Sequence, residues 1–474
     1  MVRFVKNIFP LPLILNRQSA YYYPVVFIGL LLIRLFFNTF LPLMDQTEAR
    51  YAEIARLMVE TGDWVVLQID YGVPFWAKPP LSTWAAAASM LIFGVSEFAV
   101  RLPYFMACLG IALWIGRYRS NSSVPFLIPG CILMTIPEFY LHAGVVSTDV
   151  FLLLSIVIVM LSFWESMQES AAPYWGYIFF LGMGLGMLAK GPIVGILTLP
   201  PIFLWCWQSN QLSKAFRKAP WILGTLIFIG IALPWYYLTE KCAPGFIDYF
   251  VIGEHFNRYF NSEWKGDKYG FPKQQPLGII WVFFLAFTLP WCIAFFSWLR
   301  KKWSTLKSNT WVIFLFLWML WPLLFFTTSK SLIHPYILPS IVPFALLVTH
   351  AWTEIRYSNL YLNFGMALPI LMILIYLTGW ADPIFKNNSD KNLISLTQNS
   401  SCFSLDHKSY SSQFYTRGVI QKIEKSNFSD WQIKHPNAYI LIRHKDSAAV
   451  FKNNNRSKLR LIATNKKKGL YTNE

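Results

Sequence analysis

Long apolar runs set the pattern of this chain. A helix that crosses a hydrocarbon core needs about 20 apolar residues. Runs of that order fall at residues 21–41, 97–116, 124–142, 149–164, 173–189, 192–207, 221–239, 277–298, 311–328, 333–350 and 360–380, so eleven spans are predicted. The runs at 173–189 and 192–207 are kept apart by Lys190-Gly191-Pro192, because proline cannot continue a helix. Residues 81–93 are apolar but only 13 long, which suits an interfacial or re-entrant helix better than a span. Beyond residue 381 the pattern changes to Asn, Ser and Lys. Within this tail the alternating stretches Ala438-Tyr439-Ile440-Leu441-Ile442 and Leu459-Arg460-Leu461-Ile462 predict strands. The expected architecture is an all-α polytopic membrane domain over 1–381, with interfacial helices in its first outer loop, followed by a small soluble α/β domain over 382–474.

Composition agrees with that pattern. Hydrophobic residues make up 55% of the chain and charged residues only 14%, with a mean hydropathy of +0.41, which excludes a soluble enzyme. Aromatic residues, at 18%, are abundant enough for belts at two membrane interfaces. A net charge of +17 would raise nucleic acid as a partner of a soluble chain; here loops and tail carry it, and no nucleic acid is expected. With the N-terminus inside, the short inner connections hold Arg3, Lys6, Arg17, Arg117, Arg119, Lys214, Arg217, Lys218, Arg300, Lys301, Lys302, Lys307 and Arg356. Their density favours this direction, although the acidic connection at 165–170 votes against it. Eleven crossings then place the basic tail outside. The first 20 residues carry prolines and basic residues and no cleavage-like site, so the first span reads as a permanent anchor. Cys108, Cys131, Cys206 and Cys292 fall in spans, leaving Cys242 and Cys402 as a conceivable external pair.

In this topology the unusual polar residues gather at the outer boundary: Asp45, Glu48, Arg50, Lys78, Asp149, Lys190, Glu254, His255, Arg258, Lys330, His334 and Tyr336. Arg34 alone lies well inside a span, either snorkelling or meeting a ligand, and no series of buried acids suggests a proton-coupled transporter. Residues 47–60 place Tyr51, Ile54, Ala55 and Met58 on one face of a helix lying on the membrane. Asp45 and Glu48 at its start fit a capping box, or catalysis. Lys78, fixed by Pro79 and Pro80, is a snorkelling lysine or a phosphate ligand. Asp149 caps a helix or acts chemically, and Lys190 and Lys330 sit at helix ends as dipole partners or phosphate ligands. Taken together, cations from separate spans could converge on a phosphate leaving group while a carboxylate accepts the proton of an attacking hydroxyl. Glu254-His255 with Arg258 could add a metal ligand and a second phosphate contact, but no second histidine lies at ligand spacing. His334 is placed to face the headgroups.

At these residues the sequence resembles the polyprenyl-phosphate-dependent membrane glycosyltransferases of the GT-C type, related to bacterial aminoarabinose transferases and, more distantly, protein O-mannosyltransferases. The resemblance runs through Thr47-Glu48-Ala49-Arg50-Tyr51-Ala52-Glu53-Ile54, Gly62-Asp63-Trp64, Lys78-Pro79-Pro80-Leu81 followed by Trp84, Thr148-Asp149, Lys190-Gly191, Glu254-His255 with Arg258, and Ser329-Lys330 leading to Tyr336-Ile337-Leu338-Pro339. It implies inverting transfer of a sugar from a polyprenyl-phosphate donor to an envelope glycolipid such as lipid A, or a protein, at the periplasmic face of a bacterial inner membrane. Glu48, Asp149 or Asp45 would be the catalytic carboxylate. Arg50, Lys78, Lys190, Arg258 and Lys330 would meet the donor phosphate, and Tyr51, His255 and Tyr336 the substrates. The family often has Asp where Thr47 stands, and an acid where Ala77 stands. Another carboxylate must therefore serve as base, or the acceptor is a phosphate already ionised, and neither a metal nor a cofactor is expected. Leu332 stands where a second lysine is usual. A lipid or solute transporter and a non-catalytic membrane assembly protein are the other classes; the first should show paired polar groups mid-membrane, and the second needs no site.

Overall fold

The computed structural model describes residues 21–119, 123–257, 266, 268–269, 274–306, 308–397, 400–453 and 459–473. Arg258 and the inner-face residues Arg3, Lys6, Arg17 and Lys307 lie outside the described residues. Among those described, six helices are long and apolar enough to cross a membrane alone: Tyr22–Phe40, Glu97–Tyr118, Thr148–Ser166, Trp221–Cys242, Thr310–Thr327 and Ser358–Leu377. A further pair, Ile279–Phe287 and Trp291–Lys302, is bent by 101°, and Pro290 at the break has no N–H to carry the ladder across. The remaining apolar runs are helical but short or interrupted. The run at 124–142 splits into Ile128–Met134 and Pro137–His142. Thr135 closes the first piece by donating to the Cys131 and Ile132 carbonyls, and Pro137 opens the second. Tyr174–Lys190 stops and Ile193–Gln208 restarts around Gly191 and Pro192. His334–Ile337 is a 3-10 turn that feeds Leu338–His350. The chain is a multi-pass membrane protein in which proline breaks leave fewer continuous crossings than the apolar runs predict.

Lipid tails are as apolar as leucine, so these helices hold together through close packing rather than expulsion of water. At one end of the bundle Trp164 lies 4.5 Å from Trp311 and 5.6 Å from Trp205, with Phe314 5.4 Å away. The other end carries the first loop. Its helix Thr47–Thr61 packs against Leu81–Phe93 on one side and against the tail helix Tyr410–Tyr415 on the other. Burial extends beyond the apolar stripe, because Glu53 and Arg56 are buried along with Tyr51, Ile54, Ala55 and Met58. Arg56 satisfies both burials by donating to both oxygens of Glu53, at 2.8 and 2.7 Å, and it also pairs with Glu60. Burial nonetheless pushes the Glu53 carboxyl above its ordinary range.

The tail folds into a five-stranded sheet in the order β4-β3-β5-β7-β6, formed by β3 (Cys402–Leu405), β4 (Gln421–Ile423), β5 (Tyr439–Arg443), β6 (Leu459–Thr464) and β7 (Lys468–Asn473); β1 (Gln68–Asp70) and β2 (Val73–Pro74) form a separate hairpin in the first loop. β3 runs parallel to β4 and β5, and β7 antiparallel to β5 and β6. Both stretches read as strands are strands. Cys402 is buried in β3 beside Ile420 and Leu441 while Cys242 is exposed, and both are free thiols, so the conceivable pair does not form. The sheet docks on the first loop through polar contacts. Asp45 accepts from the Ser411 backbone N–H at 3.0 Å and from its hydroxyl at 2.5 Å. Lys391 pairs with Glu97 at 2.5 Å and Lys408 with Asp70 at 2.7 Å. Gly418, at φ 79°, sits so close to the loop that a Cβ there would lie 2.4 Å from the Tyr71 hydroxyl and 2.6 Å from Arg56 Nη2.

Candidate active site

A cavity of about 490 Å³ opens where the start of Thr47–Thr61, the start of Thr148–Ser166 and the end of Tyr174–Lys190 meet. Asp45, Glu48, Arg50, Tyr51, Lys78, Asp149, Lys190 and Tyr336 all line it, joined by Glu254 and Tyr269. Residues spread over 292 positions of sequence thus share one wall-to-wall space.

Glu48, Lys78, Asp149, Lys190 and Glu254 stand in ion pairs, and among the described residues Arg50 does not. Lys190 closes its helix and Asp149 stands in the first turn of Thr148–Ser166, so both suit their helix dipoles, and their charged atoms lie 2.6 Å apart. The chain leaves Lys190 through Gly191 at φ 81°, where a Cβ would meet Phe250 at 2.7 Å and His255 at 3.2 Å. Lys78 is held ahead of Pro79 and Pro80 and pairs with Glu254 at 3.0 Å. Glu48 receives two bonds from Arg101, at 2.8 and 2.9 Å. Arg101, in Glu97–Trp114 and 3% exposed, is a second buried charge in a span beside Arg34, and no local pattern in the sequence marks it as a partner of Glu48. Arg50 donates to the Tyr269 carbonyl at 2.7 Å and lies over the Tyr51 and Phe75 rings, while its Nε is buried with no partner among the described residues. Lys190 Nζ is 4.6 Å from the centre of the Tyr336 ring.

The local capping explanations do not hold. Gln46 is the residue before Thr47–Thr61 and Ser147 the residue before Thr148–Ser166, and neither helix has a side-chain cap. Asp45 is instead engaged by Ser411, and burial raises its pKa despite those bonds. His255 does not line the cavity. Its Nδ1 lies 2.8 Å from the Phe250 carbonyl and its Nε2 3.2 Å from that of Lys190, and desolvation lowers its pKa against the pull of those carbonyls. Lys330 is exposed and outside the cavity, although Ser331, Leu332 and Ile333 line it. Ala77 lines it beside Lys78 and offers no carboxylate.

The family model of dolichyl-phosphate-mannose-protein mannosyltransferases matches residues 21–250. The chain is also similar to the aminoarabinosyl transferases, the group that its motifs resemble. It is 28% identical over 380 residues to the undecaprenyl phosphate-alpha-4-amino-4-deoxy-L-arabinose arabinosyl transferase of Enterobacter sp. (strain 638), covering 77% of this chain and 66% of that one. To the protein of the same name from Aeromonas salmonicida it is 31% identical, covering 65% and 55%. The matched region thus spans between about half and two thirds of these relatives. The crystal structure of ArnT from Cupriavidus metallidurans bound to undecaprenyl phosphate shares the fold, with a TM-score of 0.78 at 17% identity over 96% of this chain and 99% of that one.

Proposed function

We propose that the chain is an integral-membrane glycosyltransferase that moves a sugar, with inversion, from a polyprenyl-phosphate donor to an acceptor in the bacterial envelope: lipid A, another glycolipid or a protein. The observation that carries this reading is the convergence of Arg50, Lys78 and Lys190 with Asp149 and Glu48 in one cavity. The donor phosphate binds among the three cations, drawing Lys190 from Asp149 and Lys78 from Glu254. Asp149, released, accepts the proton of the acceptor hydroxyl as its oxygen attacks the anomeric carbon, and the carbon–oxygen bond to the phosphate breaks on the opposite side. An acceptor phosphate, already ionised, needs no such proton transfer. Glu48, locked by Arg101, supplies negative field, while Asp45 serves chiefly as a strut for the tail. Tyr51 and Tyr336 form apolar walls, and His255 supports Lys190 from behind. Lys330 is an outer steering charge.

In this reading the division at 381/382 separates a membrane catalytic domain from a soluble domain that covers the site. The shorter and broken helices complete the eleven crossings, and cavity and tail face the periplasm across the inner membrane. The relatives named for undecaprenyl-phosphate-linked aminoarabinose support that donor class. The test is sugar transfer by purified protein in liposomes containing undecaprenyl-phosphate aminoarabinose and lipid A. Asp149→Asn is expected to lower kcat by about 10²- to 10⁴-fold, and Lys78→Ala to abolish transfer, with both variants expressed at wild-type levels. Wild-type rates in both would reject the site. Mass spectrometry of envelope glycolipids from a deletion strain identifies the acceptor.

A further inference from the structure

Beside the cavity lies a buried carboxylate with no part in the scheme above. Glu138, in the short helix Pro137–His142, has no solvent exposure. Its two oxygens accept a forked hydrogen bond from Nδ1–H of His334, at 2.8 and 3.0 Å. His142, one turn further on and 4% exposed, places its own Nδ1 3.3 Å from the same carboxylate and 2.9 Å from the Glu138 backbone carbonyl. His334 opens the turn His334–Ile337 and stacks on Phe287 at 5.2 Å. From the other side the short helix is gripped by the first span. Arg34 donates to the Ala143 carbonyl at 2.9 Å and to that of Leu141 at 2.8 Å, and the Asn38 amide donates to Ala143 at 3.1 Å. These bonds answer the carbonyls that a helix leaves open at its C-terminus. They also account for an arginine inside an apolar span without snorkelling.

The two ends of the bond from Glu138 to His334 belong to opposite walls of the cavity. Val145, Ser147 and Asp149 follow His142 in the chain, and Leu332, Ile333 and Tyr336 flank His334; all six line the cavity. His142 ends the second piece of an interrupted helix and His334 opens a 3-10 turn, so neither segment has a continuous helix to fix its place. Lys190 touches both, 2.6 Å from Asp149 and 4.6 Å from the Tyr336 ring, so its position depends on their spacing. Without His334 the fully buried carboxylate would keep only the longer 3.3 Å approach of His142, an unfavourable exchange that holds the two segments in register.

We propose that Glu138 and His334 form a positioning bridge that fixes the separation of the Asp149 and Tyr336 walls, and with it the placement of Lys190. Neither residue touches the reactants, and the catalytic consequence rests on the glycosyl-transfer reading. The experiment compares two substitutions of His334 in the full chain. His334→Asn puts an amide N–H near the position of Nδ1, whereas His334→Phe keeps the ring on Phe287 but removes the donor. In the liposome assay His334→Phe is expected to lower kcat about tenfold with donor KM changed by less than about twofold, and His334→Asn to restore kcat to near wild type. Hydrogen–deuterium exchange of the purified protein should show faster exchange of amides 331–336 in His334→Phe and not in His334→Asn. Wild-type kcat and exchange in the Phe variant would overturn the bridge, as would an Asn variant no better than Phe. Should wild-type protein transfer no sugar, the functional reading falls, while the exchange pattern still decides the bridge.

Discussion

Desolvation outweighs the pull of the Phe250 carbonyl at His255 and holds its pKa below the ordinary 6.5. The folded chain therefore binds that proton less readily than the unfolded chain does. Its contribution to stability is complete above the ordinary histidine value and is lost as pH falls through the lowered one. The melting temperature in detergent should drop as pH is taken from about 7.5 to about 5.5, and His255→Gln should flatten that dependence. At this scale residue types are legible along the chain but their partners are not. Asp45, Glu48 and Asp149 each read naturally as a cap or dipole partner from their neighbours alone. Their actual partners, Ser411, Arg101 and Lys190, stand 366, 53 and 41 positions away, and no local pattern reports a contact at such range.

Among the elements, what repeats along a helix was legible and what arrives from elsewhere was not. The apolar stripe of Tyr51, Ile54, Ala55 and Met58 identified the helix Thr47–Thr61, and the proline-marked break at Lys190-Gly191-Pro192 is where two helices part. The burial of Glu53 and Arg56 on the other face was invisible, because its cover, Tyr410–Tyr415, is supplied by the tail. The two bonds from Ser411 to Asp45 lie at the edge of that cover. Asp45→Ala leaves the Ser411 groups without their acceptor and is expected to loosen docking by about 1–3 kcal/mol. Limited proteolysis should then cut the tail free of the membrane part sooner than in wild type, with Asp45→Asn, which keeps one acceptor oxygen, in between.

For the whole molecule, the distribution of charge was the readable signal. The cavity and the tail share one end of the bundle, while Arg117, Arg119, Lys214, Arg217, Lys218, Lys302 and Arg356 belong to the connections at the other. Reporter fusions near residues 119, 214, 302 and 356 should register the cytoplasm, and fusions near 147, 330 and the tail the periplasm. Reporters at 147 and 330 on different sides would dismantle the cavity. The number of continuous crossings was less legible, since hydropathy counts apolar residues and is blind to the bends that Pro137 and Pro290 introduce. At Gly418 the left-handed backbone disfavours any other residue, and a Cβ would press on the ends of the Tyr71 and Arg56 side chains. A chimaera that borrows its tail from a distant relative is therefore expected to dock better when residues 45–71 come from the same parent.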